Sequence, residues 1–230
     1  MRPFSTAYQG HHLWLELSSG ARFILDRPPF FESPPDLLLD ICLPLSRLRR
    51  FTGHGRCPWS VAKHTLVTLK YALLRGYPVT DRLDVLLHDA AEAIVGDIAS
   101  PLKGYLFDDD GKDRLRIVET VVDCALRKVL KAPNHWTATG ALKSDIRSKA
   151  VADADMAALA AEAVESMPSA GHGWPSLKDI DLTGTELVNL CDYARSLRDG
   201  EEMALALSSA ILDVISESKN LTLVKRKEHE

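Results

Sequence analysis

From Asp36 onward the chain repeats its apolar residues at helical spacing for most of its 230 residues, and that repetition leaves little room for a sheet-based fold. The spacing predicts helices over about 36–47, 60–75, 81–95, 112–131, 141–166, 183–197 and 201–218. Several are apolar on more than one face, the pattern of helices buried in a bundle. Loops are expected at 52–59, 97–104 and 167–181, each marked by Gly, Pro or Ser. Ahead of Asp36 the pattern changes. Two short apolar runs flank a turn at Ser18, Ser19 and Gly20, which predicts a β-hairpin over 13–25. The Pro-rich stretch 27–35 reads as a loop that continues neither sheet nor helix. The expected fold class is all-α, with 1–35 as hairpin and loop, 36–220 as the helical domain, and 221–230 as a flexible, solvated tail.

Composition narrows the function. Hydrophobic residues make up 46% and charged residues 26% of the chain, which suits a globular domain that needs no disulfides to bury a core. The four cysteines, Cys42, Cys57, Cys124 and Cys191, form no CxxC pair, so reduced thiols in a cytoplasmic setting are expected rather than a zinc ribbon. Nothing apolar follows the charge at Arg2, so no signal peptide is expected, and no apolar run approaches the roughly 20 residues that span a bilayer. A formal net charge of -4 gives no electrostatic reason to expect a nucleic-acid polymer. The acidic stretch 108–113 lacks the alternating acids and terminal Glu of an EF-hand, and reads as a turn capping the next helix.

The chemistry concentrates in residues 86–97. Leu83, Leu86, Leu87, Ala90, Ala91 and Ile94 follow helical spacing, with Thr80 or Asp81 as the expected cap and Gly96 as the stop. His88 and Glu92, four apart, are expected to share a face, and Asp89, three from Glu92, lies beside them. An imidazole and two carboxylates on a helix that buries its leucines need a partner, because unpaired buried charge is costly. A divalent metal is the most economical one. Further ligands are at hand. His64 sits in an apolar helix beside Val61 and Thr68. Asp155 shares a row with Val151 and Leu159 and is expected to point inward, whereas Asp153, in a row with Lys149, is expected to point outward.

His64, then His88-Asp89, then Asp155, resembles the H…HD…D pattern of HD-domain phosphohydrolases. Residues 88–103 resemble the HDxxExxxGDxxxPxK segment of bacterial HD-type 5'-deoxynucleotidases and of related phage deoxynucleoside triphosphohydrolases. Arg50-Phe51 is similar to their Arg-aromatic pair, and Ala154-Asp155 with Ala158, Leu159, Ala160 and Glu162 is similar to the segment around their last ligand. The resemblance covers about residues 36–166. It departs at Trp59, where the family carries Tyr or Asn, and at Lys63, where it often carries Gln or Glu.

The resemblance implies an HD-type helical bundle and a metal held by His64, His88, Asp89 and Asp155. Two imidazoles and two carboxylates suit Mn, Co, Fe, Ni or Zn better than calcium. Glu92 and Asp97 are implied as catalytic groups and as candidate ligands of a second ion, often Mg. Asp97 also suits the turn after Gly96 on purely local grounds. Arg50 and Lys103 are implied phosphate contacts, and Phe51 or Trp59 a stacking platform for a base. The implied reaction releases phosphate from a deoxynucleoside 5'-monophosphate, with triphosphate release from a dNTP as the alternative and a silent nucleotide-binding module as the second. The expected partner is a small nucleotide rather than a nucleic-acid polymer or a membrane, and the chain is expected as a homo-oligomer, a dimer or higher.

Overall fold

The computed structural model describes residues 13–26, 28–106, 109–132 and 149–227, with side chains described outside 109–113 and 221–227. The N-terminal hairpin pairs β1 (Trp14–Glu16) with β2 (Arg22–Ile24) antiparallel, Leu15 opposite Phe23. A third strand, β3 (Phe30–Phe31), pairs with the other edge of β2. The Pro-rich stretch therefore does extend the sheet, contrary to the loop expected there. Two residues suffice for this edge strand, and Pro28, Pro29, Pro34 and Pro35 fall outside the ladder, where a missing N–H costs nothing. Phe23 is fully buried and meets Phe31 edge-on, with ring centroids 4.8 Å apart.

The sheet is tied to the helices through one buried acid. Asp40 accepts from the Ser19 backbone N–H and hydroxyl, both at 2.8 Å, and from the Asp36 N–H at 2.9 Å. It lies in a π-helical turn, Leu37–Cys42, that runs into α1 (Leu43–Arg47). There follow α2 (Val61–Leu74), α3 (Val79–Leu87), α4 (Glu92–Val95), α5 (Ser100–Leu106), α6 (Asp109–Leu130), α7 (Lys149–Ser166), α8 (Gly184–Ser196) and α9 (Glu201–Lys227). The chain is thus mostly helical with a small three-stranded sheet.

The centre of the bundle is α2, which packs against α7, α3, α8, α9 and α1. Ser60 caps it by accepting from Lys63 N–H, and residues from Val61 to Leu69 are buried on every side. Its main neighbour α7 buries Ala154, Ala157, Ala158, Ala161 and Ala163. Small side chains on that helix let the two backbones approach closely, which is how α7 brings a carboxylate within reach of α2.

Three elements differ from the helices expected. The helix over 81–95 is broken, with α3 ending at Leu87 and α4 starting at Glu92. It begins at Val79 after Pro78, ahead of Thr80 and Asp81. The loop expected at 97–104 contains α5, whose Pro101 falls in the first turn, where Pro is tolerated. Helix α9 runs on through 221–227, where a tail is expected, while 228–230, 141–148 and Asp108 lie outside the described residues. Among the described residues no helix is long and apolar enough to cross a membrane, and the four cysteines are free thiols.

Candidate metal centre

Three of the four expected ligands converge. His64 from α2, His88 just past α3 and Asp155 from α7 each offer one ligand atom, and these atoms lie within 4.8 Å of one another. With metal–nitrogen and metal–oxygen bonds of about 2.0–2.2 Å, ligand atoms across one ion stand roughly 3–4 Å apart, and Asp155 Oδ1 lies 3.0 Å from His64 Nε2 and 3.9 Å from His88 Nε2, so this group could hold a metal ion. The fourth, Asp89, stands at the edge, its Oδ2 3.1 Å from His88 Nε2 and 3.9 Å from His64 Nε2.

The donor set fits an ion. His88 Nδ1 lies 2.6 Å from the Val85 carbonyl. A carbonyl can only accept, so Nδ1 carries a proton and Nε2 is the nitrogen turned to the cluster. That Nε2 is buried with no hydrogen-bond partner among the described residues, 3.1 Å from Asp89 Oδ2. A cation could bridge those two donor atoms. The charge balance points the same way. Asp89, Glu92, Asp97, Asp155 and Glu162 gather around the site, and the cations that act on them are Arg50, Lys103 and the two imidazoles. Burial lowers the His64 pKa and Arg50 opposes its charging, yet Asp155 and Glu162 together push it up to about 9. Burial would raise Asp89 and Asp155, but the imidazoles beside them hold both below the usual carboxylate range.

The HD dipeptide does not sit on a continuous α-helix. Backbone bonds tighten to i→i−3 spacing, Ala90 N–H to Leu87 C=O at 3.1 Å and Glu92 N–H to Asp89 C=O at 3.0 Å. Residues three apart eclipse on such a turn. Asp89 and Glu92 therefore line up, whereas a continuous helix would group His88 with Glu92. Glu92 is buried, and one of its oxygens, Oε2, has no hydrogen-bond partner among the described residues. Burial, then Asp89 and Asp97, pushes its carboxyl well above the ordinary range. Gly96, at φ 81°, ends α4 as expected and turns the chain so that Asp97 lies near Glu92 and Arg50.

Above His88, Asp89 and Glu92 opens a cleft of about 160 Å³, to which Lys103 of α5 and Arg116 and Thr120 of α6 contribute. Lys103 is expected here from the sequence, whereas α6 is not. A charge pattern was present: Asp123 and Arg127 are four apart, and Arg127 also reaches Asp84 at 2.7 Å, one turn before His88. Arg50 lies deeper than a surface phosphate contact. Its Nε donates to Glu162 at 3.0 and 3.2 Å, and its Nη1 is 3.7 Å from Asp89 Oδ2. Phe51 and Thr52 follow in the left-handed region, at φ 54° and 52°, a strained pair that only a constrained setting maintains. Phe51 packs edge-on to Trp174 at 5.6 Å. Trp59 is core, 3% exposed, with the Lys63 ammonium 4.9 Å over its ring, so burial favours packing over base stacking for that residue.

The two competing aspartates separate as expected. Asp155 is buried on the ligand cluster, and Asp153 is half-exposed and paired with Lys149 at 2.5 Å. Of the histidines assigned to the surface, His54 and His172 are exposed, while His11, His12, His135 and His229 lie outside the described residues. Glu162, fully buried against both His64 and Arg50, was assigned no role from sequence. Its place on the Asp155 side of α7, seven residues on, was the available signal.

No family model matches this chain. It is similar to the uncharacterized protein YfdR of Escherichia coli (strain K12), 28% identical over 181 residues, which covers 79% of this chain and 86% of that protein.

Proposed function

We propose that this helical bundle is of the HD type and that the chain is a metal-dependent phosphohydrolase acting on a deoxynucleoside 5'-monophosphate. The observation that carries the reading is the convergence of His64, His88 and Asp155, with a His88 Nε2 that has no hydrogen-bond partner among the described residues, where His88 also lines a cleft shared with Lys103. The order of those residues in the sequence, with Asp89 beside His88, supports it independently.

His64, His88, Asp89 and Asp155 would hold the ion. When bound, a transition metal such as Mn, Co, Fe, Ni or Zn supplies Lewis acidity that polarises a phosphoryl oxygen and acidifies water. The chain does the rest. Glu92 would take the proton of the attacking water as the new P–O bond forms and pass it to the nucleoside 5' oxygen as the P–O bond to that oxygen breaks. Asp97 stands beside Glu92 and keeps that region anionic. Lys103 offers a point charge to phosphate oxygens at the cleft, and the outer edge of Arg50 offers a fork.

Arg116, lining the cleft beside Lys103, supports a second reading in which a dNTP loses triphosphate, since extra phosphates need extra cations. A panel of NMPs, dNMPs and dNTPs with Mn, Co and Mg, resolved by ion chromatography, tests both. Phosphate from dNMPs is the expected result. Triphosphate from dNTPs selects the second reading, and nucleotide binding without turnover under any metal overturns both in favour of a silent module.

A further inference from the structure

We infer that Glu162 is a positioning residue that orients His64 for the metal and Arg50 for the substrate at the same time. This role rests on the metal-centre reading above. The two histidines of the cluster are steered by different devices. His88 is steered locally, through the Val85 carbonyl one turn behind it. His64 has no such carbonyl on its ring, because its helix is regular. Its ring is instead gripped from both sides by α7. Asp155 Oδ1 stands 3.0 Å from Nε2, and Glu162 Oε2 stands 3.3 Å from Nδ1. Seven residues separate the two acids, so two turns of one helix span one imidazole.

The Nδ1 contact is long and poorly aligned for a hydrogen bond, and Nδ1 has no hydrogen-bonded partner among the described residues. Glu162 is nevertheless the acid that faces it, and a carboxylate there can only accept. Without an ion it is Nε2 that is hydrogen-bonded, to Asp155 Oδ1 at 3.0 Å; with a cation between those two atoms, Glu162 would draw the proton to Nδ1 and free the Nε2 lone pair, as a carboxylate behind a ligating imidazole does in metal sites generally. The same carboxylate takes Arg50 Nε at 3.0 and 3.2 Å. With Nε held, the guanidinium cannot swing, and its Nη1 edge faces Asp89 at 3.7 Å. Glu162 itself is fully buried. A buried carboxylate shared by a ligand and a cation is costly to keep unless the geometry it imposes is used.

The test uses the full-length chain and the variants Glu162→Gln and Glu162→Ala, with folding checked by circular dichroism and thermal melting. Metal affinity is read by competition with a chromophoric chelator using Co and Zn alone. Folded Glu162→Gln is expected to bind about ten- to a hundredfold more weakly than wild type, the usual cost of losing such a partner, and Glu162→Ala at least as weakly. KM for the hydrolysed nucleotide should rise in both, as in Arg50→Ala, whereas metal affinity should stay near wild type in Arg50→Ala. Folded variants with wild-type affinity overturn the role. Should neither variant fold, nitrogen-15 NMR of the Zn-loaded wild type decides: protonated Nδ1 and metallated Nε2 on His64 support it, and the opposite tautomer overturns it. A wild type that holds metal tightly yet hydrolyses no nucleotide sinks the proposed reaction, and the affinity comparison still decides Glu162.

Discussion

The floor of the cleft and its far wall are built to different standards. On the floor, α2, α3 and α7 pack against one another, His64 and Glu162 have no exposure at all, and Asp155 has 7%. On the wall, α5 leaves Leu102 and Leu106 exposed and Tyr105 86% exposed, and α6 exposes Ile117 while only Val122 and Leu126 sink fully into the core. The floor, with the candidate ligands buried beneath it, presents groups whose positions are over-determined by packing. The wall presents Lys103, Arg116 and Thr120 from elements with little holding them. A metal tolerates errors of tenths of an ångström in its ligands, which only a close-packed core can guarantee. Substrates vary more in shape, and a lightly held wall can follow them.

The largest effect should come from removing a floor ligand. His88→Ala is expected to lose both metal content and hydrolysis. Full metal occupancy in that variant, by elemental analysis, would break the distinction between floor and wall. Next comes Glu92→Ala, which should keep its metal and bind nucleotide nearly as wild type, but turn over about 10²- to 10⁴-fold more slowly. An unchanged kcat would remove Glu92 from the reaction. Smaller still is a packing effect. Ala158→Leu forces extra volume into fully buried space on α7 and should cost about 1–3 kcal/mol in denaturant unfolding. The least effect belongs to the wall: Tyr105→Ser should change stability by no more than about 0.5 kcal/mol. A larger loss would mean that α5 is held by contacts the comparison omits. The pair Asp155→Asn and Asp153→Asn sharpens the floor itself, the first losing metal and the second keeping it.

Helical spacing was enough to place His64, Asp155 and the outward Asp153, because a period of 3.6 residues fixes which side chains share a face once a helix is regular. The same rule failed at His88–Glu92. There the backbone switches to i→i−3 bonds, and no periodicity in the letters announces that change. Phe30 and Phe31 were hidden by their prolines, since nothing local says that two residues of edge strand will find β2.

What the sequence determined by itself was the run of helices, the hairpin and the identity and order of the residues that meet at the centre. All of these follow from side-chain chemistry and from spacing along the chain. The tertiary structure alone decided that Glu162 backs His64 and holds Arg50, that Asp89 lines up with Glu92, and that α6 closes the cleft. Those contacts join residues far apart in the chain, and their geometry depends on how close α2 and α7 approach, which the buried alanines of α7 set through packing rather than through any local preference.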